Sequence, residues 1–383
     1  MKVLVASHSL AQMSTHARWR ILAERYGIEV HLAVPAEWRF SSFGGVRSIR
    51  AKPRREPGFH VHPLRVWQRG TGNNFLFTEG LRLLASLQPD IVYVAQDWGS
   101  WSLHQILGVI NIASSRSAIW GFSSCMERIE PHSWRSRLLW RRYCSKVIRA
   151  KTYSKIGARV LRESGYLGAI DVETEIGVDL DTFRPNLEMR EKVRAQKDLR
   201  GFVIGFAGRL VDEKGVLDLL KSCEDLSGDW SLLIIGDGPL RSDVEAAAAR
   251  NALANRARIV GYVPHTEVAD LIQACDTLVL PSKVGQCRFI EQFGLILAQA
   301  MACGVPVVGS DNGAIPEIVG DPRRIFPEGD VASLTNILTE LQKKPSYRKE
   351  ASKIGLERVS RLYSASALAD SFQRSLNQHR ERA

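Results

Sequence analysis

Arg209 and Lys214 stand five positions apart in the turn Gly208-Arg209-Leu210-Val211-Asp212-Glu213-Lys214-Gly215, directly after the apolar run Phe202–Ala207. A guanidinium offers a two-pronged donor and an ammonium a point charge, so the two can clamp two phosphates of a nucleotide. The same residues would also make an ordinary solvated turn ahead of a helix. Gly236-Asp237-Gly238-Pro239 follows another apolar run, Ser231–Ile235. It lacks the third glycine of a dinucleotide fingerprint, so a plain strand-to-helix turn explains it at least as well. Behind the first apolar run stand Ser7-His8-Ser9-Leu10 instead of glycines, which argues against a nicotinamide or flavin enzyme.

The richest stretch is Glu291–Val308, EQFGLILAQAMACGVPVV. Gly294 opens a helix that ends at Gly304. The N–H groups at its start, with the positive end of its dipole, suit a diphosphate. Glu291 precedes the helix and Gln299 lies two turns inside it; eight helical residues span ~12 Å. That spacing can put one side chain on a sugar and the other on a ribose. A buried helix merely capped by its glutamate is the plainer alternative.

Such turns need strands to deliver them. Short apolar, β-branched runs alternate with helical stretches: Lys2–Ala6, Glu29–Val34, Asp90–Ala95 and Ala118–Phe122, then Phe202–Ala207, Ser231–Ile235, Arg258–Val260, Thr277–Leu280 and Val305–Val308. Runs apolar on both faces belong to parallel strands covered by helices. The chain is expected to be α/β, two doubly wound Rossmann-like units in tandem. Its 383 residues also fit two domains at ~150 residues each. The turn-rich stretch Gly177–Asn186, after the run Val172–Ile176, puts the boundary near residue 178, and a charged helix, Leu187–Leu199, opens the second unit. Ala51–Gly58 and Arg69–Asn74 read as loops. The segment Tyr347–Arg380 is helical by composition. Domains are expected at 1–178 and 179–360, with a helical segment 361–383 that crosses back to the first.

In this order and spacing the motifs resemble a GT-B glycosyltransferase of family 4, the retaining nucleotide-sugar enzymes. The likeness runs through G-R-L-x-x-x-K-G, G-D-G, P-S, E-Q-F-G, A-M-A-C-G-V-P-V-V and G-x-I-P-E between Gly201 and Asp321, and through the linker GVDLDTFRP. It implies two domains facing across a cleft, the first for acceptor and the second for donor. It implies that Arg209 and Lys214 hold the donor diphosphate, that Glu291 binds hydroxyls of the donor sugar, and that Gly294 and Leu295 meet the phosphates through backbone N–H groups. Gly208, Gly236, Gly238 and Phe293 complete the donor side. Gln299 stands where the family's E-x7-E motif has its second acid, which accepts from the ribose. An amide oxygen accepts there without charge. Phe122-Ser123-Ser124 stand where many relatives carry a histidine. Asp97 matches a polar cleft position, and with His8 it is the candidate acceptor contact. His8 and His16 are each more simply packing histidines.

The implied reaction moves a sugar from a nucleoside-diphosphate donor to a small-molecule, glycan or lipid-linked acceptor, with the leaving phosphate as base. No cofactor or metal is expected, since no D-x-D pattern occurs. The alternatives are a relative that binds nucleotide with lost or reduced catalysis, and a non-transferase GT-B enzyme such as a nucleotide-sugar epimerase.

The formal charge of +11 admits nucleic acid, anionic lipid or phosphorylated substrates as partners. No helix-turn-helix, zinc or RNP-like pattern supports nucleic acid. Ser133–Lys151 carries Arg135, Arg137, Arg141, Arg142, Lys146, Arg149 and Lys151 and no acid, with Trp140, Tyr143, Cys144, Val147 and Ile148 at helical spacing. It is expected to pack that stripe on the first domain's sheet. Trp134, Leu138 and Leu139 fall outside the stripe and favour peripheral contact with an anionic membrane. The opening MKVLVASHSL lacks the apolar core of a signal peptide, and no apolar run reaches the ~18 residues of a membrane span. Cys125, Cys144, Cys223, Cys275, Cys287 and Cys303 show no paired spacing and read as thiols in a reducing cytoplasm.

Overall fold

The computed structural model describes residues 1–42, 45–70, 75–81, 86–113, 117–127, 129–131, 133–250, 253–285 and 290–381. Cys287 and most of the Arg69–Asn74 loop lie outside these residues. The chain forms two units, Met1–Gly177 with Ala365–Ala383, and Val178–Ser364. Residues 361–364 therefore stay with the second domain, and the helix Ala365–Arg380 belongs to the first.

The first domain is built on β1 (Lys2–Ala6), β2 (Glu29–Pro35), β5 (Arg54–Glu56), β6 (Phe59–Leu64), β9 (Ile91–Val94), β10 (Ala118–Ser123), β11 (Arg149–Thr152) and β12 (Ala169–Val172). They form one eight-stranded sheet in the order β12-β11-β10-β9-β1-β2-β6-β5. β1 pairs in parallel with β2 on one side and β9 on the other. Its side chains alternate between two cores. Val3 and Val5 join Trp19, Tyr93, Trp120 and Phe372, while Leu4 and Ala6 join Trp140, Tyr143 and Leu107. Antiparallel pairs β3 (Glu37–Ser42) with β4 (Gly45–Arg50), and β7 (Val66–Gln68) with β8 (Phe75–Phe77), complete the domain.

Three expectations change here. The stretch Ala51–Gly58, expected to be a loop, contains β5, which pairs antiparallel with β6. Its charged Arg54-Arg55-Glu56 suits a short sheet edge, where charge blocks pairing with a second chain. The run Val172–Ile176 is not a strand, because β11 ends at Thr152 and its ladder with β12 closes at Val172. The basic segment is a helix only over Trp134–Lys146, capped by Ser133 and Ser136. Trp140, Tyr143 and Val147 are buried as expected, but Ile148 is 44% exposed. Arg149 and Lys151 leave that surface altogether, buried in β11.

Those buried cations have partners from the next strand and its exit. Arg149 Nη1 lies 2.6 Å from Asp171 Oδ1 and Lys151 Nζ 2.8 Å from Glu173 Oε1. Buried Arg18 also pairs with Glu173, and Ser371 donates to Glu173 Oε2 at 2.7 Å. One carboxylate thus ties the helix Ala17–Tyr26 and the helix Ala365–Arg380 to the sheet. Burial works to raise the Glu173 pKa, but Arg18 and Lys151 outweigh it and hold the group down at about 2.

The second domain carries β13 (Phe202–Ala207), β14 (Trp230–Ile235), β15 (Ala257–Gly261), β16 (Thr277–Leu280), β17 (Val307–Ser310) and β18 (Ile325–Phe326). They form a parallel sheet in the order β15-β14-β13-β16-β17-β18. β17 starts two residues later than the expected Val305, since Pro306 lacks an N–H and offers only its carbonyl, to Leu278 N. No helix among the described residues is long and apolar enough to cross a membrane. Buried Cys223, Cys275 and Cys303 are free thiols whose pKa burial pushes up to about 12.

Glu173→Gln should cost about 3 kcal/mol or more at neutral pH, because it leaves Arg18 and Lys151 buried without their shared charge. The carboxylate's folded pKa lies below its usual 4.5, so its contribution is complete above that value and is lost as pH falls toward about 2. Denaturant unfolding should find the gap between variant and parent wide at pH 7 and narrower at pH 3. An equal gap at both would show that shape, not charge, carries the effect.

Candidate active site

In the second sheet β13 has β14 on one side and β16 on the other, so the chain winds outward in opposite directions from β13. The loops leaving such neighbours diverge and open a crevice beyond the carboxyl ends of the strands, where open α/β sheets bind ligands. The loop after β13 carries Arg209 and Lys214, and the loop after β16 carries Ser282, Lys283 and Glu291. The two are stitched by Lys283 N–H donating to Glu213 O at 3.0 Å. At their junction Lys214 Nζ donates to Glu291 Oε2 at 2.5 Å.

Glu291 is buried and held from several sides. Ser282 Oγ donates to its Oε2 at 2.9 Å, and its own N–H donates to Asn312 Oδ1 at 2.7 Å. Asn312 Nδ2 in turn donates to Glu328 Oε2 at 2.8 Å. Gly313, at φ 57°, passes so close that a Cβ would lie 2.2 Å from the Glu291 carbonyl oxygen. Sequence reasoning gave Ser282 no role beyond its place in the P-S motif and missed Asn312 and Glu328. The signal available was position, since Asp311 and Asn312 follow β17 as Ser282 follows β16, both at the ligand edge of the sheet.

Arg209 differs from Lys214. Its side chain is 65% exposed and meets Glu213 Oε1 at 3.3 Å, a weak surface pair that leaves its fork open to a stronger anion. Gly236 and Gly238 act on this loop from below. Leu210 N donates to Asp237 O at 3.0 Å, and a Cβ on Gly236 would lie 1.8 Å from Gly208 O. The G-D-G turn is therefore a support on which the Gly208–Leu210 backbone rests.

Gly294 caps the helix Leu295–Ala302 in the left-handed region, at φ 76°. The N–H groups of its first turn precede the intrahelical ladder. Phe293, expected on the donor side, turns its ring inward, 5.4 Å from Tyr363, and is buried. Gln299 is buried within the same helix.

The first sheet repeats the arrangement. β1 lies between β9 and β2, and the loops after β1 and β9 meet through Gln96 Nε2, which donates to His8 Nδ1 at 2.8 Å. His8 also packs on Trp38, and burial lowers its pKa to about 4, so at neutral pH its ring is uncharged, with the proton on Nε2. Asp97 is half-buried; Ser124 donates to Oδ1 through its N–H at 2.7 Å and to Oδ2 through its Oγ at 2.8 Å. His16 is a buried packing histidine, 2.7 Å from Leu10 O. Sequence reasoning missed Glu175, which accepts from Ser7 Oγ at 2.6 Å and Ser9 Oγ at 2.5 Å. Burial raises its pKa against those hydrogen bonds.

Residues 189–358 match the family described as glycosyl transferases group 1. A 2-deoxystreptamine glucosyltransferase of Streptomyces kanamyceticus is 27% identical over 70% of this chain and 72% of its own. A 2-deoxystreptamine N-acetyl-D-glucosaminyltransferase of Streptomyces fradiae is 30% identical over 65% of this chain and 61% of its own, less than two thirds of its length. Among solved structures, Anabaena Alr3699/HepE in complex with UDP and glucose superposes with a TM-score of 0.68 at 17% identity, over 99% of this chain and 100% of that one. That likeness is one of fold, two parallel-sheet Rossmann-like domains of the GT-B kind.

Asn312→Ala removes the acceptor for the Glu291 N–H and the donor to Glu328 inside a buried network. It should lower stability by about 1–3 kcal/mol and weaken binding of a nucleoside diphosphate sugar. Thermal melts beside calorimetric titration with a panel of nucleoside diphosphates and their sugars check both. A variant that melts and binds like the parent would show that Asn312 does not position Glu291.

Proposed function

This chain belongs to the group 1 glycosyl transferases, nucleotide-sugar-dependent enzymes of the GT-B fold, and we propose that its second domain binds the donor diphosphate through Arg209, Lys214 and the start of the helix Leu295–Ala302. The observation that carries this is the Lys214–Glu291 bond at the divergence of β13 and β16. It sets an ammonium for a phosphate beside a carboxylate for sugar hydroxyls. Gly294 and Leu295 add backbone N–H groups from the positive end of a helix dipole. Gln299, one side of that same helix further on, accepts from the ribose through its amide oxygen.

In the proposed reaction the bond from the sugar's anomeric carbon to the phosphate oxygen breaks, and its electrons leave with the diphosphate. Arg209 and Lys214 stabilise the charge that grows there. The acceptor hydroxyl attacks the same face and gives its proton to the departing phosphate oxygen, which retains configuration. Glu291 holds sugar hydroxyls while positive charge develops on the ring. The acceptor is a hydroxyl-bearing molecule, small, glycan or lipid-linked, taken by the first domain at His8 and Asp97.

A membrane surface is the second proposed partner. Trp134 is 70% and Leu138 58% exposed, one helical turn apart on Trp134–Lys146, among exposed Arg135, Arg137 and Arg141. Apolar side chains flanked by arginines on an outward face fit an anionic lipid surface.

Arg209→Ala should lower kcat/KM about 10–100-fold, the worth of one charge-assisted contact to the leaving group. Its exposure makes it the clean test, and Lys214→Ala should lose at least as much. Mass-spectrometric detection of released nucleoside diphosphate, from a panel of nucleotide sugars with acceptor extracts, supplies the rates. Parent-like rates in both variants would sink the clamp, and donor binding without turnover by the parent would favour a binding protein.

Vesicles containing anionic lipid should sediment the protein at low salt and release it at high salt. Trp134→Ala combined with Leu138→Ala should abolish sedimentation. No sedimentation of the parent, or equal sedimentation with neutral vesicles, would remove lipid from the list of partners.

A further inference from the structure

We propose that Glu29, His31 and His60 form a transition-metal site of the kind that takes Zn2+, built on β2 and β6 at their amino-terminal ends, with His62 orienting His31. This site lies at the opposite end of the first sheet from the loops that carry His8 and Asp97, and the proposed transfer reaction makes no use of it.

The strand period assembles it. Side chains two apart on a strand share a face, so Glu29 and His31 project together from β2, as do His60 and His62 from β6. The parallel register sets His31 beside His60 and Ala33 beside His62. One face of the neighbouring strands thus holds three imidazoles and a carboxylate, with alanine as the small neighbour. One ligand atom each of Glu29, His31 and His60 lies within 4.8 Å of the others. The rings are stacked, with His31 and His60 centroids 4.7 Å apart and His31 and His62 5.3 Å apart. Ligand atoms ~2.0–2.2 Å from one tetrahedral zinc ion lie roughly 3.4 Å apart, so an ion would spread the hydrogen-bonded Glu29–His31 pair slightly and draw the more widely spaced atoms in by up to about an ångström.

Hydrogen bonding supports a metal ligand at His31. Its Nδ1 lies 3.0 Å from His62 Nε2, and its Nε2 lies 2.9 Å from Glu29 Oε1. Without metal, His62 donates to His31, which donates to Glu29. With metal on His31 Nε2, the His31 proton sits on Nδ1 and is donated to His62 Nε2, and the His62 proton moves to its Nδ1. The count of protons is unchanged, and Glu29 Oε1 is released to the ion. A ligating histidine whose other nitrogen donates to a fixed acceptor is the usual second layer of a zinc site.

The surroundings choose the class of ion. Lys2 Nζ lies 3.8 Å from Glu29 Oε2, and Arg55 stands opposite His60 across β5 and β6. These cations offset the single carboxylate. Mg2+ and Ca2+, which need several oxygens, gain little there, whereas the imidazoles favour Zn2+ and its neighbours. Glu29, His60 and His62 are half-buried, so an ion can enter from solvent.

Chelator-treated full-length protein without a histidine tag should take up one Zn2+ per chain in competition with a chromophoric chelator, and Co2+ should give visible absorption bands. Mg2+ and Ca2+ in excess should not displace it. His60→Gln and Glu29→Gln, tested separately, should each weaken uptake about tenfold or more, and His62→Gln about 10–100-fold, the loss expected when an orienting partner is removed. Melts of the metal-free variants control for folding. Absence of stoichiometric uptake by the parent would overturn the site, as would unchanged uptake in both His60→Gln and Glu29→Gln. The optical readout is independent of glycosyl transfer, so it stands or falls apart from that activity.

Discussion

Two loops that leave a parallel sheet in opposite directions open a gap that no ladder of backbone hydrogen bonds can close. In the second domain the Lys214–Glu291 pair closes it, and most of what surrounds the site keeps that pair in place. Ser282 and Asn312 hold the carboxylate end. The G-D-G turn under Gly208–Leu210 and the Lys283–Glu213 bond hold the loop that brings the lysine. A buried ion pair is poor evidence of stability, because desolvation offsets its attraction. Its value here is position: each partner is kept extended at the carboxyl edge of the sheet, where β13 and β16 diverge. The first domain solves the same problem with neutral groups, His8 and Gln96, and keeps one buried acid there, Glu175, under two serine hydroxyls.

The positive charge of the chain divides into populations with different work. Arg18, Arg149, Lys151 and Arg324 are buried and bind carboxylates of their own domain. Arg135, Arg137 and Arg141 face solvent from one helix. Net charge alone could not separate these groups. The distinction came from the strand β12 and its exit, which supply Asp171 and Glu173 to cations that look unpaired along the chain.

The parallel strands were legible because burial on both faces leaves continuous apolar runs, and the glycine, lysine and glutamate motifs were legible because they follow such runs directly. β6 escaped for the opposite reason. FHVHPL alternates, with Phe59 and Val61 in the core and His60 and His62 on the other face. It reads as polar to a search for solid apolar runs. β5 and the pair β3 with β4 are short, charged and antiparallel, with partners that only the folded chain identifies. Glu173 and Glu175 were illegible for a related reason: their roles depend on residues distant in sequence, Arg18 and Ser7 among them. Phe293 shows that a motif position can also serve packing: its ring lies in the core against Tyr363.

The helix Ala365–Arg380 has a consequence for the making of the protein. Phe372 sits in the first domain's core against Trp19, Tyr93 and Trp120. Val178 and Ser364, where the chain enters and leaves the second domain, pair side by side. The second domain is in effect an insertion near the end of the first. A ribosome adds about 5–20 residues per second, so the first domain waits on the order of ten seconds or more with a tryptophan-lined groove uncovered. The second domain, continuous in sequence, can finish folding while its elder neighbour is still incomplete. Order of synthesis and order of completion are thereby reversed, and the nascent chain passes through a stage in which a chaperone, or another copy on the same messenger, can compete for the groove that Phe372 will fill.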